Sequence, residues 1–148
     1  MNLSWIPEET YRTILATTVI ACVDVAIVNE GKILLVKRKD RPAKDQWWLP
    51  GGRVFKNELM KKAAYRKALE EVDLQCRVGP IVHTAETIFE DGPGMIPVHS
   101  INSCFLLYHI DRNFIVKINE HHSNYNWVSQ ISSKFHPYVQ ECLEGAGL

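Results

Sequence analysis

At 148 residues, with 17 basic and 17 acidic side chains and a formal net charge of zero, the chain has the length of one globular domain with a sizeable core. The charge balance removes any bulk electrostatic argument for nucleic acid or an anionic membrane surface as partner, leaving room only for a local basic patch. No apolar stretch is long enough to span a bilayer: the nearest, residues 17–28, is interrupted by Asp24, and Met1 to Ser4 lack the basic start and apolar run of a leader. The four cysteines, Cys22, Cys76, Cys104 and Cys142, are scattered without a close pair. Reduced thiols in a cytoplasmic single domain over residues 1–148 are therefore expected.

Pro7 followed by Glu8 and Glu9 predicts a helix over 7–17 with acids at its positive end. Residues 19–28, rich in branched side chains, read as a strand, Asn29-Glu30-Gly31 as a turn, and 32–38 as the returning strand of a hairpin. Residues 39–46 are a polar loop, and Trp47-Trp48-Leu49 a very short strand entering the Pro50-Gly51-Gly52 turn. From 59 to 72 neither proline nor glycine interrupts; Leu59, Ala63, Ala64, Ala68, Leu69 and Val72 mark a buried helix face, with Arg66, Lys67 and Glu70 on the other side. A strand over 74–90 is expected to break near Gly79-Pro80, and 91–94 to turn. Residues 99–110 return as a long apolar strand. A short strand at 114–116, a polar loop at 119–124, a last strand at 125–128 and a helix at 137–143 complete the chain. This order predicts a mixed sheet covered on both sides by helices.

The chemistry concentrates around the glycine turn. Gly52 is followed after five residues by Glu58, after seven more by Arg66, and then by the adjacent Glu70 and Glu71, with Leu74 as the closing apolar residue. Two neighbouring glutamates on a helix that follows a glycine turn suit a hard divalent cation, which wants several oxygen ligands and takes the remainder from a bound diphosphate. Arg66 and Glu70, four apart, can pair along the helix.

These spacings resemble those of the Nudix hydrolases, and the resemblance runs from about Val19 to about Trp127. It implies an α/β/α sandwich and a magnesium cofactor, with manganese as an alternative. It also implies metal ligation by Glu71, helped by Glu70 and the carbonyl of Gly51, with Glu58 and Arg66 holding the turn against the helix. Two positions depart from the pattern: Lys67 stands where an acid follows the arginine, and Asp73 where a glycine precedes Leu74. An ammonium can neither ligate metal nor activate water. Either that chemistry is lost, or the base lies elsewhere.

A nearer similarity favours the second option. Lys37-Arg38, Arg41-Pro42-Ala43, Trp47, the Pro50 to Val54 tract and the run from Asn119 to Trp127 are similar to the GDP-mannose mannosyl hydrolase branch. That branch also lacks the acid at the position of Lys67, and it attacks the sugar carbon to release GDP and free sugar. The similarity implies His122 as general base, with His121 in the place of a metal-binding glutamine. Arg38 and Arg53 fall near the diphosphate and leaving group, and Asp24 at the sugar or an arginine. Tyr125 is among the aromatic residues available to stack on a base. A homodimer using the 7–17 helix is implied as well. Neutral imidazole is a competent base, with a free pKa of about 6.5. Two other readings stay open: a pyrophosphohydrolase cleaving between phosphates, favoured by the retained Glu70-Glu71 pair, and a nucleotide-binding domain without turnover, suggested by Lys67 and Asp73.

Overall fold

A computed structural model describes residues 5–148; Met1 to Ser4, where the sequence was read as lacking a leader, lie outside the described residues. The chain runs through α1 (Glu8–Thr17), β1 (Ile20–Asn29), β2 (Lys32–Arg38), β3 (Trp47–Trp48), β4 (Gly51–Arg53), α2 (Met60–Val72), β5 (Cys76–Phe89), β6 (Val98–His109), β7 (His122–Val128) and α3 (Pro137–Gly145). The strands form one seven-stranded sheet, ordered β3-β2-β1-β6-β5, with β4 also pairing β1 and β7 pairing β2. The β1–β6 pair is parallel and the other pairings are antiparallel, so the sheet is mixed as expected. Among the described residues no helix is long and apolar enough to cross a membrane.

Strand alternation divides the apolar residues between two cores. Val23, Val25 and Ile27 of β1, Leu34 and Val36 of β2, and Phe105 and Leu107 of β6 pack with Ala63, Ala64, Ala68 and Val72 of α2. Their neighbours Ala26, Ile33, Leu35 and Cys104 face the other way, onto Tyr138, Val139, Cys142 and Leu143 of α3. The alanines let α2 lie close to the sheet, and this nearness carries the helix's last turn to the glycine turn.

Four expectations need correction. The Gly51-Gly52 turn is itself a strand, because β4 pairs with β1 through Asp24↔Gly51, Val23↔Gly52 and Cys22↔Arg53. Gly79-Pro80 does not end β5: the ladder shifts register between Val78 and Ile81 and continues, a bulge that absorbs the missing proline donor. Residues 114–116 form no strand; Phe114 and Val116 instead pack their side chains on the α2 core. The loop expected over 119–124 is shorter, since β7 already begins at His122. Asp73 fits its glycine-like place by adopting the left-handed conformation (φ 57°, ψ 37°) that ends α2, which aspartate tolerates better than most residues.

Leu34 is fully buried against α2. Leu34→Ala is expected to lower the unfolding free energy by about 2–5 kcal/mol in a denaturant titration. A loss below about 1 kcal/mol would contradict this core.

Candidate active site

The C-terminal end of α2 leaves backbone carbonyls without helical partners. The segment before β7 supplies them: Lys117 N–H donates to the Val72 carbonyl (3.1 Å) and Asn119 N–H to the Glu71 carbonyl (3.2 Å). The Asn119 side-chain amide adds bonds to the Glu70 carbonyl and to Glu71 Oε2, both at 3.3 Å. The next turn closes with His122 N–H donating to the Asn119 carbonyl at 3.2 Å. A register shift of β7 against β2, between Lys37 and Arg38, sets His122 opposite Arg38. Bulges of this kind re-aim side chains, and His122 is turned inward while the next four residues of β7 stay exposed.

The outcome is a buried carboxylate ringed by donors. Glu71 and His122 are both almost wholly inaccessible. His122 Nε2 lies 2.5 Å from Glu71 Oε2. Gly51 N–H donates to Oε1 at 3.3 Å, and Lys67 Nζ stands 3.5 Å from the same oxygen. Burial alone would raise the Glu71 pKa; the hydrogen bond from His122, the Lys67 charge and the Gly51 amide outweigh it and hold the acid at about 2. An ionised acceptor requires the imidazole to present an N–H at Nε2. Nδ1 is buried without a hydrogen-bond partner.

A cavity of about 760 Å³ opens from this point. Arg38, Arg53, Lys67, Glu71, His121 and His122 line its charged side. Arg38 Nε is steadied by the Pro42 carbonyl at 2.8 Å, and the Arg53 guanidinium lies over the rings of Tyr11 (5.6 Å) and Phe55 (4.9 Å). Arg66 clamps the turn from behind: Nε and Nη2 grip the Glu58 carboxylate at 2.7 and 2.9 Å, and Nη2 reaches the Arg53 carbonyl at 3.0 Å. Asp24 is buried in the same cavity and accepts a 2.7 Å bond from the Tyr138 hydroxyl. Burial carries it from an ordinary 3.8 up to about 7 despite that bond and the nearby Arg38 charge.

Three other residues named from the sequence make no contact with the Glu71 carboxylate. Glu70 is half exposed, and its carboxylate faces Arg66 (3.1 Å) and Lys67 (3.4 Å). His121 Nδ1 pairs with Asp40, and its Nε2 stands 3.6 Å from Glu120, so neither nitrogen is directed at Glu71. Tyr125 is exposed on β7 and does not line the cavity. Sequence reasoning missed a polar floor on β5 and β6, where Thr87, Ser100 and Asn102 bond to one another at 2.9–3.2 Å beneath the cavity. Strand alternation is the signal that could have found it, since these polar side chains recur on one face. It also missed Tyr138, more than a hundred positions from its partner Asp24.

The donors suit one hard cation. Glu71 is ionised and would be the side chain that holds the ion; the Gly51 group turned toward it is the N–H rather than the carbonyl named from the resemblance. Among the described residues no three His, Cys, Asp or Glu side chains gather into a metal cluster.

A NUDIX domain matches residues 19–136, and the chain belongs to that family, whose hydrolases generally use divalent metals such as Mg2+. It is 33% identical over 143 residues to the low-salt glycan biosynthesis protein Agl8 of Haloferax volcanii, covering 94% of this chain and 89% of the relative. It is 35% identical over 85 residues to the ADP-ribose pyrophosphatase of Methanocaldococcus jannaschii, covering 57% of this chain and 48% of that protein. The crystal structure of the MutT NUDIX hydrolase from Burkholderia pseudomallei shares the fold, with a TM-score of 0.71 at 24% identity over 85% of this chain and 96% of that one.

A folded-state pKa of about 7 means that folded Asp24 binds a proton the unfolded chain has released above its ordinary 3.8. Stability from this group is present below pH 4 and is lost as pH rises toward 7. Asp24→Asn should remove that part of the slope, read as the difference between variant and parent unfolding free energies across pH 4 to 7. Parallel curves would refute the buried, raised carboxyl.

Proposed function

We propose that the chain hydrolyses a nucleotide sugar of the GDP-mannose type at the anomeric carbon, giving a nucleoside diphosphate and free sugar. The observation that carries this reading is the contact of His122 with Glu71 at one end of a cavity that also holds Arg38 and Arg53. The cavity has room for a small ligand of drug-like size. The glycan role in the name of the Haloferax relative supports a sugar-bearing substrate.

His122 takes the proton as water oxygen bonds to the anomeric carbon, at an Nδ1 that must first turn out of its buried position to meet the water, and the bond from that carbon to the diphosphate oxygen breaks with its electron pair leaving on the diphosphate. Glu71, fixed as an anion, accepts the Nε2 hydrogen, orients the ring and stabilises the imidazolium that forms. Arg38 and Arg53 bind phosphate oxygens as paired donors. A divalent cation bound at Glu71 would neutralise charge appearing on the departing diphosphate. The polar floor of Thr87, Ser100 and Asn102 offers hydroxyl and amide partners to the uncharged part of the ligand. A thiol nucleophile is a poor alternative, because burial and the Asp24 charge push Cys22 up to about 12.

A second reading, attack at phosphorus, draws on Glu70 beside Glu71 and on the ADP-ribose pyrophosphatase relative. Hydrolysis of GDP-mannose in oxygen-18 water separates the two. Label in mannose, quenched before the free sugar exchanges its anomeric oxygen, is the expected result; label in GDP, GMP or mannose phosphate would overturn it. His122→Ala should lower kcat by about 10²–10⁴-fold.

A further inference from the structure

We propose that Lys67 is a built-in cation that takes the place of a second metal ion and binds the diphosphate of the ligand directly. The inference rests on reading the cavity as a diphosphate site and goes beyond it by assigning the residue that breaks the family spacing. Lys67 Nζ stands between the two neighbouring carboxylates, 3.4 Å from Glu70 Oε2 and 3.5 Å from Glu71 Oε1. Its side chain is only 16% exposed, yet it lines the cavity. This is an ammonium lodged where an acid at the same position would have gathered three carboxylates around metal.

The placement is built from both sides. On the helix, Lys67 precedes Glu70 and Glu71 by three and four positions, so all three side chains share one face. Across the cavity mouth, β4 fixes the stem: a Cβ on Gly52 would lie 2.8 Å from Lys67 Cε and 3.0 Å from Nζ. The bare α-carbon of Gly52 lets the end of the lysine side chain lie against it, and a methyl there would turn that flexible end aside. An ammonium has three donors, and two carboxylates claim two of them. The third is available to a phosphate oxygen in the cavity that Arg38 and Arg53 also line. A second divalent ion between Glu70 and Glu71 would meet a fixed positive charge at close range, which opposes its binding. The site therefore takes one divalent ion at Glu71, with Lys67 supplying the further positive charge that the diphosphate needs.

The test uses Mn2+ and inorganic pyrophosphate, which carry neither base nor sugar. Mn2+ binding is counted by electron paramagnetic resonance, and pyrophosphate affinity is measured by calorimetry. Wild type should bind one Mn2+ per chain, and Lys67→Glu should bind two. Lys67→Met, which keeps the stem, should still bind one Mn2+ but bind pyrophosphate at least about tenfold more weakly. Gly52→Ala, which pushes the stem aside, should weaken pyrophosphate in the same direction. Two Mn2+ on wild type, a single Mn2+ on folded Lys67→Glu, or unchanged pyrophosphate affinity in Lys67→Met would each overturn the proposal. Should Lys67→Glu not fold, the wild-type count and the methionine variant decide. Failure to hydrolyse GDP-mannose while these results hold would sink the substrate reading alone.

Discussion

A single ionised carboxylate, buried almost completely at the end of α2, is the constraint around which the rest of the site is arranged. Such a charge is costly unless it is met by donors on every side. Glu71 is met by an amide from β4, an ammonium from its own helix, a side-chain amide from the segment before β7 and an imidazole from β7 itself. Four donors, from the helix itself, from β4 and from the stretch 119–122, thus converge on one group. Removing any of them leaves part of that charge unpaired, so the local backbone is held as firmly by electrostatics as by packing.

The fold supplies the means of convergence. The alanine face of α2 brings the helix close to the sheet, and the pairing of β4 with β1 brings Gly51 against the last turn of the helix. The β4–β1 pairing is close at this point: a side chain on Gly51 would fall 2.2 Å from Asp24 Oδ1 and 2.4 Å from the Val23 carbonyl. The ends of the cavity then differ in chemistry. One end is charged and ordered around Glu71; the floor is neutral, made of hydroxyls and an amide that satisfy one another until a ligand offers something better.

Much of this was legible in the sequence where the signal is local. Period-two apolar runs gave β1, β2 and β6 to within a residue or two, and the unbroken stretch at 59–72 gave α2. The spacing located the Arg66–Glu70 pair, and the family resemblance pointed to Glu58 and Arg66 holding the turn. What escaped is what depends on partners distant along the chain. Nothing near Asp24 announces that Tyr138 will bond it, and nothing in Thr87, Ser100 or Asn102 taken singly distinguishes a cavity floor from an exposed strand face. The start of β7 at His122 was hidden because Ser123, Asn124 and Asn126 are poor strand formers; pairing with β2 overrides that preference. The sequence left Lys67 without a role, with the base expected elsewhere, since its carboxylate partners and its place against Gly52 become apparent only in three dimensions.

The most direct measurement is a crystal structure with Mn2+ and inorganic pyrophosphate, using the anomalous signal of manganese to locate the metal. One manganese beside the Glu71 carboxylate, with the Lys67 ammonium in contact with a phosphate oxygen, is the predicted result. Manganese and phosphate both distant from Glu71, or metal lying between Glu70 and Glu71 with the lysine swung out to solvent, would contradict the account.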